Sequence, residues 1–73
     1  MKNDIARRRQ ARGLSQEELA EAVGVTRQSI NAIERDRTTP SLELAFELAA
    51  FFDCGIEELF HYESESAYSR LGY

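Results

Sequence analysis

Apolar positions recur along this chain at intervals of three and four, interrupted by single glycines and short polar caps. At about 100° per residue, Leu19, Ala20 and Val23 share one face, and Ile30 and Ile33 share another. Ala45, Leu48, Ala49 and Phe52 share a third. The pattern predicts a helix over 4–12, capped by Asn3 and ended by Gly13. A second helix starts at Gln16 and ends at Gly24, a third spans 27–35, a fourth 42–52 and a short fifth 56–60. The fourth is apolar on nearly every side, with Glu43 and Glu47 as its polar strip, so it is expected to be covered on more than one face.

The second and third helices carry the clearest local signals. Ser15 and Glu18 have the spacing of a capping box. Gln16, Glu17 and Glu18 fill the first turn, where negative charge suits the helix dipole. Gly24 takes the left-handed conformation that ends a helix at no steric cost. Val25 plugs the turn, and Thr26 caps the next helix. On that helix Gln28, Asn31, Ala32 and Arg35 lie opposite the isoleucines, with Arg27 at the edge. Gln and Asn can bond an adenine edge in bidentate fashion, and Arg can do so with guanine. Amphipathicity and caps alone fit an ordinary two-helix hairpin as well as a DNA reader.

The residue pattern is more specific. Arg9 is followed by Arg12-Gly13-Leu14-Ser15-Gln16-Glu17-Glu18-Leu19-Ala20, then Val23-Gly24-Val25-Thr26-Arg27-Gln28-Ser29-Ile30, Ile33-Glu34, Pro40-Ser41-Leu42 and Leu48-Ala49. Over 5–60 the chain resembles the helix-turn-helix family of phage repressors and Cro proteins, the XRE family. The resemblance implies an all-α fold, a compact five-helix lambda-repressor-like DNA-binding domain, with the helix-turn-helix at 16–35. It implies double-stranded DNA as partner, usually bound as a homodimer on a near-palindromic operator. Carried over by position, Arg27, Gln28, Asn31 and Ala32 face bases. Gln16 opens the second helix and bonds a phosphate, and Ser29, Arg35, Arg37 and Thr38 are further phosphate candidates. Arg9 and Glu34 occupy positions where the family pairs an arginine with a glutamate, a structural salt bridge. Two residues depart from the pattern. Arg8 stands where many relatives have leucine, and Asp36 stands where the family usually has Gly or Asn.

Seventy-three residues make one domain near the lower limit for a self-sufficient core. The net charge of −4 is unevenly spread. Residues 1–40 carry eight basic and six acidic side chains, whereas 41–73 carry one basic and seven acidic. DNA contact therefore belongs to the first half, with the acidic half turned away. Arg7, Arg8 and Arg12 are either a phosphate patch or a solvated face. The loop 36–40, with Thr39 beside Thr38, either reaches the DNA backbone or is simply exposed.

Cys54 is the only cysteine, so no internal disulfide forms, which fits a reducing cytoplasm. His61 has no ligand cluster around it, and neither a metal nor a cofactor is expected. No apolar run has membrane-spanning length and no signal peptide opens the chain, so a soluble cytoplasmic protein is expected. No nucleophile–base set or phosphate loop points to an enzyme. The tail 61–73 carries Tyr62, Tyr68, Leu71 and Tyr73. It is read either as a frayed terminus or as a segment that covers the fourth helix or serves dimerisation. The functional expectation is a sequence-specific transcription regulator, most simply a repressor. The alternative is an antitoxin-like interaction module that engages a protein partner through the acidic, apolar C-terminal half.

Overall fold

Ser15 closes both bonds of its capping box: Glu18 N–H donates to Ser15 Oγ at 3.0 Å, and Ser15 N–H donates to the Glu18 carboxylate at 2.8 Å. Helix α2 (Gln16–Val23) grows from that cap and ends at Gly24, whose φ is +76°. Val25 N–H donates back to the Ala20 carbonyl at 2.9 Å. Thr26 Oγ1 then accepts from Ser29 N–H and starts α3 (Arg27–Glu34). Ser41 does the same for α4 (Leu42–Phe51) through Leu44 N–H. The remaining helices are α1 (Ile5–Ala11) and α5 (Ile56–Leu59). The computed structural model describes residues 1–62.

The fold is the expected all-α, five-helix arrangement, with helix limits that differ from the sequence expectation by a residue at several ends. Asn3 is one residue outside the N-cap position, which Asp4 occupies. Asn3 Oδ1 nevertheless accepts from Ile5 N–H at 3.1 Å and so satisfies a donor of the first turn. Helix α5 stops at Leu59 because Phe60 turns extended and leaves the helix. Phe60–His61 forms strand β2, antiparallel to β1 (Lys2–Asn3), with Lys2 opposite His61 and Asn3 opposite Phe60. A strand this short has no periodicity for sequence reading to detect. The ribbon ties the two ends of the described chain together, and Asp4 N–H adds a bond to the Leu59 carbonyl at 2.9 Å.

The core takes Ile5 from α1, Leu19 and Ala20 from α2, and Ile30 and Ile33 from α3. Ala45, Leu48, Ala49 and Phe52 come from α4 and its C-cap, and Leu59 and Phe60 close the base. Each large aliphatic side chain buried here contributes roughly 1.5–3 kcal/mol before entropy is counted. Among the described residues, cover on α4 is one-sided. Leu44 and Phe51 pack partly against the core, but Leu42 and Phe46 are 70% and 57% exposed. Residues 63–73, on which the sequence reading placed a covering or dimerising tail, lie outside the described residues.

Asp36 adopts φ +60°, the left-handed conformation usually given to glycine. It permits Arg37 N–H to donate to the Ala32 carbonyl at 2.9 Å, which closes the end of α3. Asp53 makes the same turn after α4, with φ +54°. Arg12 caps the end of α4 from outside: its Nη1 donates to the Phe51 carbonyl at 2.8 Å, and its guanidinium lies over the Phe51 and Phe52 rings.

Two carboxylates make the fold sensitive to acid. Bonds from the Ser15 backbone and hydroxyl hold Glu18 below its usual range. Bonds from Arg7 and then His61 do the same for Asp4. A carboxyl lowered in the folded state stabilises above its unfolded pKa, and that contribution is lost as pH falls through the folded value. The unfolding midpoint should therefore decline as pH falls through and below the ordinary carboxylate range. Glu18→Gln combined with Asp4→Asn should flatten that decline in thermal scans. An unchanged slope would contradict these assignments.

Candidate nucleic-acid interface

The N-terminal turn of α3 contains no acidic residue and begins with Arg27 and Gln28, both exposed. The inward face of the helix is Ile30 and Ile33, both buried. This inward anchor leaves Arg27, Gln28 and Arg35 in solvent, with Ser29, Asn31 and Ala32 half-buried. The loop after α3 lies alongside the same helix: Thr38 and Thr39 border one hollow with Gln28, Ser29 and Ala32. Arg37 and Thr38 are exposed there. The structure thus gathers the base candidates and the loop candidates around one helix. Ser29 sits against the cap, its Oγ 3.0 Å from Thr26 Oγ1.

Charge is sorted in the same way. Among the described residues, Arg27, Arg35 and Arg37 are exposed and make no salt bridge. Arg7 is bound to Asp4 at 2.9 Å, and Arg12 is committed to the end of α4. Arg8 is half-buried, and its Nε has no hydrogen-bond partner among the described residues. The free guanidiniums therefore belong to α3 and its loop rather than to the arginine run of α1.

Beneath α3 lies a polar cluster joining three helices. Arg9 donates from Nε and Nη2 to the two oxygens of Glu34 at 2.8 and 3.2 Å. Its Nη1 donates to the Leu14 carbonyl at 2.8 Å. The Arg9 and Glu34 side chains are only 12% and 6% exposed. Gln16 joins from α2: its Nε2 donates to Glu34 Oε1 at 2.9 Å. Asn31 Nδ2 donates to Gln16 Oε1 at 3.4 Å. Both ends of the Gln16 amide are thus engaged inside the protein. Sequence reading gave Gln16 a phosphate and left this link unseen, because residues 16 and 31 have no periodic relation.

A second clamp was also missed. Asn3 Nδ2 donates to the Ile33 carbonyl at 2.9 Å, and the N-terminal ammonium lies 3.9 Å from Asp36. An asparagine before a helix reads as a cap, and nothing in its spacing announces a bond to the far end of α3.

This geometry, a rigid two-helix unit presenting one polar, acid-free helix start, is the form of a helix-turn-helix. The helix-turn-helix family model matches residues 5–59, and the chain belongs to that family, in its XRE-type branch. It is 48% identical over 65 residues to an uncharacterised HTH-type transcriptional regulator of Methanocaldococcus jannaschii, covering 89% of this chain and 98% of that one. It is 44% identical over 66 residues to the uncharacterised HTH-type transcriptional regulator YgzD of Bacillus subtilis, covering 90% and 100%. Among solved structures, the restriction-modification controller protein C.AhdI of Aeromonas hydrophila superposes with a TM-score of 0.70 at 38% identity, over 77% of this chain and 85% of that one. A transcriptional regulator from Listeria innocua shares the fold, with a TM-score of 0.71 at 24% identity, over 90% of this chain and 65% of that one. Among the described residues no group of three or more His, Cys, Asp or Glu side chains is placed to hold a metal ion. No helix there is long and apolar enough to cross a membrane.

Removing one partner of a buried ion pair leaves an uncompensated charge, which costs about 3–5 kcal/mol. Arg9→Met should therefore destabilise strongly in urea titrations, and Glu34→Leu added to it should restore much of the loss. Strictly additive losses would show that the pair is not coupled.

Proposed function

We propose that this chain is a sequence-specific transcription regulator, most simply a repressor, that places α3 in the major groove of a near-palindromic operator. The observation that carries the reading is the exposed, acid-free start of α3, mounted on a buried ion pair. Arg27 and Gln28 are the side chains best placed to meet base edges, with Asn31 and Ala32 one turn further along. Arg offers guanine a bidentate donor pair, and Gln or Asn offers adenine a matched donor and acceptor. Arg35, Arg37, Thr38 and Ser29 supply backbone contacts, which set register without reading sequence.

Two copies fit the reading better than one. Leu42 and Phe46 are one helical turn apart on the uncovered face of α4. Beside them is an apolar groove of about 690 Å³, lined by Leu42, Ala45, Ile56, Phe60 and Tyr62 among others. Tyr62 is 72% exposed. An apolar ridge next to an apolar groove can be satisfied reciprocally by a two-fold axis, each copy filling the other. Dimers of this type set two reading helices about 34 Å apart, in successive major grooves.

Selection from a random duplex pool tests the DNA reading. An enriched inverted repeat is expected. Arg27→Ala should lose roughly 1–3 kcal/mol of discrimination at one base pair per half-site. Arg37→Ala should instead weaken all sequences alike and reduce the salt dependence by about one charge. No enrichment at moderate salt would refute base reading by the unaided protein.

Phe46→Glu tests the dimer. Sedimentation should show the wild type as a dimer and the variant as a folded monomer with weakened operator binding. A variant that stays dimeric would place the interface elsewhere.

A further inference from the structure

The polar cluster under α3 has a direction. A carboxylate can only accept hydrogen bonds, and a guanidinium can only donate them. Glu34, held by Arg9, therefore obliges Gln16 to turn its Nε2 toward Oε1. That orientation leaves Gln16 Oε1 facing α3. An amide oxygen is again only an acceptor, so Asn31 must answer with Nδ2, as it does at 3.4 Å. The polarity of the Asn31 side chain is thus dictated by an ion pair it does not touch.

That polarity governs what Asn31 can read. Having given one N–H to Gln16, its amide keeps the second N–H and the whole of Oδ1. Those two groups form the donor–acceptor pair that matches adenine N7 and N6. With the amide reversed, the donor would meet N6 and the acceptor N7, and both bonds would be lost. A free asparagine samples both orientations, whereas a buttressed one is held in one of them. Preorganisation of this kind raises selectivity without adding a contact.

We infer that Gln16 is a positioning residue for specificity: it fixes the orientation of the Asn31 amide and thereby sets the base preference at the position Asn31 faces. The inference rests on the reading of α3 as the base-contacting helix. It is distinct from the phosphate contact that the family resemblance implies for Gln16, for which one N–H of Nε2 is not used by Glu34. A phosphate contact acts on all sequences alike, whereas orientation of Asn31 acts on one base position.

The test compares duplex-pool selections for the wild type, Asn31→Ala, Gln16→Met and the double variant. Gln16→Met keeps length and helix propensity but cannot hydrogen-bond through an amide. Asn31→Ala should erase preference at one position in each half-site. Gln16→Met should weaken preference at that same position by roughly five- to tenfold and leave the others in place. The double variant should then be no worse there than Asn31→Ala alone.

Three results would overturn the inference: a uniform loss of affinity in Gln16→Met with every preference intact, no shifted position in Asn31→Ala, or two losses that simply add. A wild type that enriches no motif would overturn the DNA reading itself, and this inference with it. A measurement without DNA guards against a misfolded variant. In the NMR spectrum of the free wild type, the Asn31 side-chain amide should show slowed rotation and shifted resonances. Both should return to values typical of a free asparagine in Gln16→Met. Resonances of a free asparagine in the wild type would also refute the inference.

Discussion

The Arg9–Glu34 ion pair is the constraint around which the rest of the molecule is organised. It joins the first helix to the end of the third, and Arg9 also binds the Leu14 carbonyl just ahead of the second. A small protein has little apolar area with which to fix three short helices. A directional, nearly water-free ion pair sets their relative rotation in a way that a few aliphatic contacts do not. Its cost in desolvation is offset only because both oxygens of Glu34 and all three guanidinium nitrogens are bonded. The pair therefore contributes geometry more than net stability. That geometry aims Arg27 and Gln28 outward.

A second frame holds the same C-terminal end of α3. The two-residue ribbon joins Asn3 to Phe60, and the Asn3 side chain reaches the Ile33 carbonyl. The N-terminal residues thereby connect the end of α3 to the last described residues. Helix α3 is held twice at its C-terminal end, by Arg9 and Gln16 through Glu34 and by Asn3 through the Ile33 carbonyl. Its N-terminal turn is the part left free in solvent, and it carries no acid. The acidic half of the sequence begins with α4, whose Glu43 and Glu47 border a hollow with Val23, Gly24 and Val25 of the turn ahead of α3.

Much of this was legible in the sequence, and the reason differs from element to element. Ser15 and Glu18, Thr26 and Ser41 announced three helix starts because a cap is a local event with a fixed spacing. Ile30 and Ile33 announced the inward face of α3 because burial follows the helical period. Asp36 could be singled out as an unusual residue for its turn, and its φ of +60° is what that turn requires. The ribbon escaped notice because two residues are too few to show alternation. The Gln16–Asn31 link and the Asn3–Ile33 bond escaped because they join residues far apart in sequence through polar atoms that carry no periodic signature. The all-round apolarity of 42–52 predicts cover on more than one face, whereas among the described residues Leu42 and Phe46 stand in solvent. For Arg7, Arg8 and Arg12 the sequence leaves a phosphate patch and a solvated face open, whereas Arg7 and Arg12 have partners within the protein, Asp4 and the Phe51 carbonyl.

A crystal structure of the protein on its selected operator would test the role of α3 most directly. The expected result is α3 in the major groove, Arg27, Gln28 and Asn31 against base edges, and the Arg9–Glu34–Gln16 bonds intact beneath them. DNA seated on another face, or a cluster that must open before α3 can enter the groove, would contradict it.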